Sequence, residues 1–189
     1  METIIEITAV IFGLAYIYFL IKEKIICWLF GIISSMLSIF LFYKTNLYSE
    51  AILYIYYVVI GVYGFWLWNK KTDSKSQLQI TELPVSNYVV LIIIGEVLAM
   101  VTGYVFSHYT DASSPYLDAH TTIFSFIASY LEAKKHLASW KFWIIINAVT
   151  IVLYLTKGLH YYTLLTGVYL VFSFVGYRTW RSKMRLLKL

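Results

Sequence analysis

The feature that most constrains this chain is its punctuation. Short polar clusters cut it into apolar runs of roughly 17–22 residues, the length that crosses a hydrocarbon core as a helix. The runs extend from about Ile4 to Ile21, Ile25 to Tyr43, Tyr48 to Trp68, Tyr88 to Phe106, Tyr116 to Ala133, Ser139 to Thr156 and Gly158 to Trp180. Lys22-Glu23-Lys24 and Lys44-Thr45-Asn46 separate the first three. The only long polar stretch, Asn69 to Asn87, precedes the fourth, and a loop without Lys or Arg, His108 to Pro115, follows it. Backbone polar groups find no water in a bilayer, so runs of this length predict seven transmembrane helices. The chain is 60% hydrophobic and 13% charged, whereas soluble domains average about 45–50% and about 25%. That balance excludes disorder, collagen, coiled coil and a secreted scaffold, and the single cysteine, Cys27, excludes an internal disulfide and C-x-x-C chemistry.

Lys and Arg set the orientation. With the N-terminus outside, the cytoplasmic side holds Lys22, Lys24, Lys70, Lys71, Lys75, Lys134, Lys135, Lys141, Arg178, Arg181, Lys183, Arg185 and Lys188, thirteen in all. The outer side holds Lys44 and Lys157 only. The net charge of +5 therefore follows topology rather than nucleic acid, and no nucleic-acid partner is expected. Glu2 and Glu6 stand where a cleaved signal peptide would carry basic residues, so the first span is read as a retained helix.

Shifted by 112 positions, the sequence matches itself. Trp28 falls on Trp140, Phe30 on Phe142, Leu47 on Leu159, Leu53 on Leu165, Tyr57 on Tyr169, Gly64 on Gly176 and Trp68 on Trp180. Thirteen of the 44 positions from Trp28 to Lys71 are identical in this register, and upstream Phe12 meets Phe124 and Tyr18 meets Tyr130. Apolar composition alone gives aliphatic matches, not two tryptophans, a tyrosine and a glycine together. Helices one to three thus repeat as five to seven, with an odd fourth helix that restores the direction of travel. The division is 1–68, first repeat; 69–115, cytoplasmic loop, linking helix and short outer loop; 116–180, second repeat; 181–189, basic cytoplasmic tail. Parallel three-helix repeats of this kind build small transporters whose substrate site lies between the halves near the midplane.

Two faces carry polar groups at membrane depth. In the fifth span Asp118, Thr122, Ser125, Ser129 and Glu132 fall on one helical stripe, with Thr121 at its edge. Such a stripe avoids lipid and faces the bundle interior or a cavity. Asp118 and Glu132 are expected near the ends, within reach of water, which leaves Thr122, Ser125 and Ser129 as candidates at depth. Close helix packing through small hydroxyl residues is the alternative. In the sixth span Trp140, Trp143 and Asn147 share a face. Indole rings can stack a planar heterocycle, and the amide has donors and an acceptor for its polar edge. Trp140 alone also fits an interfacial anchor. In the third and seventh spans Tyr57 and Tyr169 can line a path or simply pack. The four histidines have no paired metal-ligand spacing, and no phosphate loop, nucleophile elbow or H-E-x-x-H occurs. No enzyme, cofactor, metal or built-in energy source is expected.

Trp140-Lys-Phe-Trp143 with Asn147, then Leu153-Tyr154, Lys157-Gly158-Leu159, Tyr169 and Gly176-Tyr177-x-x-Trp180, resembles the PnuC family of B-vitamin transporters. The first half agrees through Trp28-x-x-Gly31, Tyr57 and Tyr63-Gly64-Phe65-x-x-Trp68, and Asp118-Ala119 and Lys134-Lys135 match as well. The resemblance covers most of the chain. It implies an all-α, three-plus-one-plus-three membrane fold related to SWEET sugar transporters, and a homotrimer. It also implies uptake of nicotinamide riboside by facilitated diffusion, with a cytoplasmic kinase trapping the nucleoside as its phosphate without a required complex. Nicotinamide riboside members are expected to carry a glutamine near Ser129 and a tyrosine where Thr166 stands, so thiamine and riboflavin stay open. Two other classes stay open: a membrane enzyme or purely structural subunit, which the absent catalytic constellation opposes, and a vitamin-binding subunit of an energy-coupling-factor importer. Ala9-x-x-x-Gly13 mimics its coupling motif, while seven spans with a parallel duplication oppose it.

Overall fold

The computed structural model describes residues 2–44, 48–70, 78–110, 114–156 and 160–186. Thr45, Asn46, Leu47, Lys71, Lys75, Lys157, Gly158, Leu159 and Lys188, named above, lie outside the described residues. Among the described residues the chain is all-helical: α1 Glu2–Ile21, α2 Ile26–Lys44, α3 Tyr48–Asn69, α4 Val85–Tyr109, α5 Pro115–Ala133, α6 Ala138–Thr156 and α7 His160–Leu186. Five of the seven contain stretches long and apolar enough to cross a membrane: Thr3–Ile21, Ile26–Lys44, Ala51–Asn69, Val85–Tyr109 and Ala138–Thr156. Helix α5 falls short because its hydroxyl and carboxylate stripe dilutes the apolar run. Helix α7 falls short because His160, Tyr, Thr and Gly fill its first half and Arg178, Arg181, Lys183 and Arg185 its last turns. Residues 181–186, expected as the start of a tail, continue α7 without a break.

The chain divides into two compact units, Met1–Gln79 and Ile80–Leu189. In the first, α2 packs against both α1 and α3. Ser34 ties α2 to α1 by donating to the Ala9 carbonyl at 2.8 Å. Trp28 is buried against α3, where Gly64 makes room for it: a Cβ there would lie 2.4 Å from the indole. The ring meets Trp68 edge-on, with centroids 5.4 Å apart at 88°.

In the second unit α6 packs against both α5 and α7, and α4 packs on α5. The buried residues of α4 are Gly95, Ala99 and Gly103, spaced four apart. This stripe of small residues lets α5 approach closely. A Cβ on Gly95 would meet Phe124 at 2.8 Å, and one on Gly103 would meet Tyr116 at 2.6 Å. Val89, Ile93, Val97, Met100 and Val101 of α4 are exposed apolar surface, which suits lipid. The core of this unit is Ala128, Leu131, Ala138, Phe142 and Ile146. The Phe142 ring stacks with Phe124 on one helix and Tyr88 on another, at 6.1 and 6.3 Å.

The geometry recurs 112 residues on. Trp140 and Trp180 meet at 5.4 Å and 88°, and a Cβ on Gly176 would lie 2.5 Å from the Trp140 ring. The turns α1–α2 and α5–α6 close alike. Glu23 and Lys135 both have φ of 54°. Each sits in the left-handed position of a helix C-terminus. The amides of Glu23 and Lys24 donate to Leu20 and Phe19, and those of Lys135 and His136 to Glu132 and Leu131, all at 2.9 Å. One lysine of each turn also covers a tyrosine one helical turn back: Lys22 over Tyr18 and Lys134 over Tyr130.

Candidate functional site

Trp143 and Asn147 form a polar layer of the second unit with Glu132 and Ser173, each facing a different neighbour, while Trp140 packs apart against Gly176 and Trp180. Trp143 turns toward α5, where its indole N–H donates to the Glu132 carboxylate at 2.7 Å. Asn147, one turn further along α6, turns toward α7 and donates from its amide nitrogen to Ser173 Oγ at 3.1 Å. Ser173 passes the chain on by donating to the Tyr169 carbonyl at 2.8 Å. An asparagine amide has two N–H groups and a carbonyl oxygen. One N–H is engaged by Ser173, which leaves the remaining donor and the acceptor for another partner.

Glu132 is where the structure corrects the sequence reading. Counting along the run placed it near an end, within reach of water; it is only 2% exposed. The turn from Lys134 to Leu137 folds back over the end of α5, and Lys135, Leu137 and Ala138 are themselves buried. A carboxylate taken out of water needs partners, and the Trp143 indole is one of them. Ser173 joins the site through Asn147 without being among the candidates that spacing singles out. Its place on the α7 stripe with Tyr162, Thr166 and Tyr169 was the available signal, and its level opposite Asn147 was not legible from spacing.

The fifth-span stripe is inward, as expected. Ser125 and Ser129 are buried and Thr122 is half-buried. Both serine hydroxyls donate to their own helix, Ser125 to Thr121 at 2.6 Å and Ser129 to Ser125 at 2.8 Å. Each hydroxyl is thereby satisfied as a donor and keeps its acceptor lone pairs. Trp140 is wholly buried by Gly176 and Trp180, in the same setting as Trp28. Among the described residues the indole nitrogens of Trp28, Trp140 and Trp180 have no hydrogen-bond partner. Tyr57 belongs to the first unit, half-buried, with its ring 5.4 Å from Tyr54 and 6.2 Å from Tyr56. Tyr169 is half-buried on α7.

One polar pair lies apart from this layer. His120 Nε2 on α5 stands 2.9 Å from Glu96 Oε2, midway along α4, while His120 Nδ1 lies 2.6 Å from the Tyr116 carbonyl. Among the described residues no group of three His, Cys, Asp or Glu side chains is placed to hold a metal ion.

With this arrangement of indole, amide and buried carboxylate in place, comparison with known proteins becomes informative. A model of the nicotinamide mononucleotide transporter family matches residues 3–182. The nicotinamide riboside transporter PnuC of Escherichia coli (strain K12) is 25% identical over 209 residues, covering 96% of this chain and 86% of that protein. The namesake from Neisseria mucosa is 28% identical over 152 residues, covering 77% of this chain and 57% of that one. Among solved structures, a crystal structure of the vitamin B3 transporter PnuC superposes with a TM-score of 0.75 at 26% identity, covering 93% of this chain and 79% of that one.

Proposed function

We propose, from the premise that this chain belongs to the nicotinamide mononucleotide transporter family, that it carries nicotinamide riboside across the membrane by facilitated diffusion. The observation that carries the reading is the Trp143–Asn147 face of α6, held from both sides by Glu132 and Ser173. A planar ring stacks on Trp143 while its carboxamide takes the remaining donor and acceptor of Asn147. The pyridinium of nicotinamide riboside is a permanent cation. An indole face attracts such a ring by about 0.5–2 kcal/mol, and the Glu132 carboxylate behind the indole adds a negative field. Thr122, Ser125 and Ser129 offer hydroxyl acceptors to the ribose. Tyr57, Tyr169 and Trp140 shape the path or brace it.

The relatives named as nicotinamide riboside transporters support this choice at about a quarter identity. Thiamine, also a cationic ring, is the second reading. It is favoured by Ser129 and Thr166 in place of the expected glutamine and tyrosine, whereas riboflavin brings no positive charge to the indole. The architecture we infer is a three-plus-one-plus-three plan of seven crossings. The recurring Trp–Gly–Trp packing and the paired α1–α2 and α5–α6 turns support it. The inferred assembly is a homotrimer. Phosphorylation by a cytoplasmic kinase makes uptake one-way.

Calorimetry on the purified protein with nicotinamide riboside, thiamine and riboflavin tests the proposal. Nicotinamide riboside should bind. Asn147→Ala and Trp143→Ala should each weaken it roughly ten- to hundred-fold, the worth of about 1–3 kcal/mol in a dry site. Tight thiamine binding without nicotinamide riboside binding would reverse the order of substrates. Binding that neither substitution weakens would move the site to Thr122, Ser125 and Ser129.

A further inference from the structure

The last turns of α7 and the first turns of α6 border an open cleft of about 530 Å³. Four cations line it: Lys141 from α6, and Arg178, Arg181 and Arg185 from α7. On α7 these positions are i, i+3 and i+7, one face of the helix. The opposite character borders them: Phe174, one turn earlier on the same face and 48% exposed, and Leu186, 69% exposed, are apolar walls of the same cleft.

Nothing in the described residues neutralises these charges. The partners of Lys141 are the rings of Tyr88 and Tyr177, at 5.2 and 6.0 Å, and Arg181 lies 5.8 Å from the Tyr177 ring. Among the described residues none of the four is in an ion pair with a carboxylate. No Asp or Glu follows Glu132, so neither α6 nor α7 carries a side-chain carboxylate of its own. The positive-inside rule accounts for cations gathering on one side of a membrane. It does not account for four of them converging from two helices on one cleft with greasy walls. Like charges lining one cleft repel each other, and an anion among them relieves that repulsion.

The geometry points to a binding site for an anionic phospholipid, its phosphate held by Lys141, Arg178, Arg181 and Arg185 and its acyl chains laid along Phe174 and Ile144. Guanidinium groups take phosphate oxygens in pairs. Ser182, also lining the cleft, can add a hydroxyl donor. A free phosphate shares the headgroup chemistry but makes no use of the apolar wall. Basic clefts between helices at a membrane surface are suited to acidic headgroups, with about 1 kcal/mol for each cation near the surface, or about five-fold in affinity.

Native mass spectrometry of the full-length protein, released from micelles doped with equal phosphatidylglycerol and phosphatidylcholine, tests this. Wild type should retain phosphatidylglycerol preferentially, and added inorganic phosphate should not displace it. Arg178→Gln with Arg181→Gln should cut the preference about 25-fold by the same constant. Replacing both by lysine should keep the preference, and so should Lys24→Gln with Lys70→Gln, which removes two exposed cations elsewhere. Lys141→Gln alone, on the other helix, should lower it about five-fold; this single change keeps the test open if the double glutamine variant does not fold. Equal retention of both lipids, or a glutamine pair as selective as wild type, would overturn the proposal. Displacement by inorganic phosphate would assign the cleft to a soluble anion instead, and would overturn the lipid assignment.

Discussion

At the scale of single residues, two glycines and one carboxylate decide the most. Gly64 and Gly176 exist to admit the rings of Trp28 and Trp140, since a Cβ would lie 2.4 and 2.5 Å from indole carbons that are themselves fully enclosed. Gly64→Ala and Gly176→Ala should each lower thermal stability in detergent by about 1–3 kcal/mol, the usual cost of overpacking. The two losses should be of similar size because the two settings are alike. Gly167 has nothing within 4 Å of its would-be Cβ. Gly167→Ala should therefore leave the melting temperature unchanged or raise it slightly, through up to about 1 kcal/mol of helix propensity. In the proposed site Glu132 would act on substrate through Trp143, whose indole N–H it accepts. Glu132→Gln keeps an oxygen for the indole N–H and removes the charge; Glu132→Ala removes both. If the hydrogen bond alone matters, calorimetry should show Glu132→Gln near wild type and Glu132→Ala weaker by about ten-fold. If the field on a cationic ring also matters, Glu132→Gln should weaken nicotinamide riboside as well. The W-x-x-W spacing placed Trp143 and Asn147 on the sixth helix as candidates. What it hid was the direction of each: one faces α5 and the other α7, a difference set by the packing of α6 between two neighbours.

At the scale of elements, the apolar runs match the helices within three residues, except that α7 runs six residues past its run, because length and hydrophobicity are what a bilayer selects. Helix α4 runs longer than its apolar core at both ends, from Val85 to Tyr109. The pairing of Glu96 with His120 was not legible, since 24 positions separate them and only the approach of α4 to α5 through Gly95, Ala99 and Gly103 brings them together. The α5–α6 turn was equally hidden. There the stretch before α4 docks on the turn: the Thr81 amide donates to the Lys135 carbonyl at 3.1 Å, and the Leu137 amide to the Thr81 carbonyl at 2.9 Å. The Thr81 hydroxyl lies 2.9 Å from His136 Nδ1. Burial, and then the neighbouring Lys134 charge, hold the His136 pKa below its usual value. The unfolded chain therefore binds this proton more readily than the folded one, so stability rises with pH here. That contribution is present above the unfolded value of about 6.5 and is lost as pH falls below it. The melting temperature should drop between pH 7 and pH 5.5 in the wild type. The drop should be smaller in His136→Gln, which does not titrate. Equal drops in both would show that another group carries the dependence.

At the scale of the whole molecule, what matters is which way the chain faces and what drives its cargo. Thirteen of fifteen Lys and Arg fall on the side that the odd number of inferred crossings gives to the C-terminus. A reporter fused after Leu189 should therefore be cytoplasmic, and an external signal would break both the count of seven and the repeat. The same inventory bears on energy. The chain has no phosphate-cradling loop, and among the described residues no cluster of His, Cys, Asp or Glu is poised to take a metal ion. The half-exposed Glu96, midway along α4, is joined to His120 by geometry, and ionisable groups within membrane spans often belong to proton paths. That makes the uncoupled mechanism a real test rather than a default. Purified protein in liposomes should bring nicotinamide riboside to the same concentration inside and out, without ATP and under any imposed proton gradient. Sealing a nicotinamide riboside kinase and ATP inside should turn equilibration into accumulation of the phosphate. Accumulation of the free nucleoside driven by an acidic exterior, and abolished by Glu96→Gln, would replace facilitated diffusion with proton-coupled uptake through the α4–α5 pair.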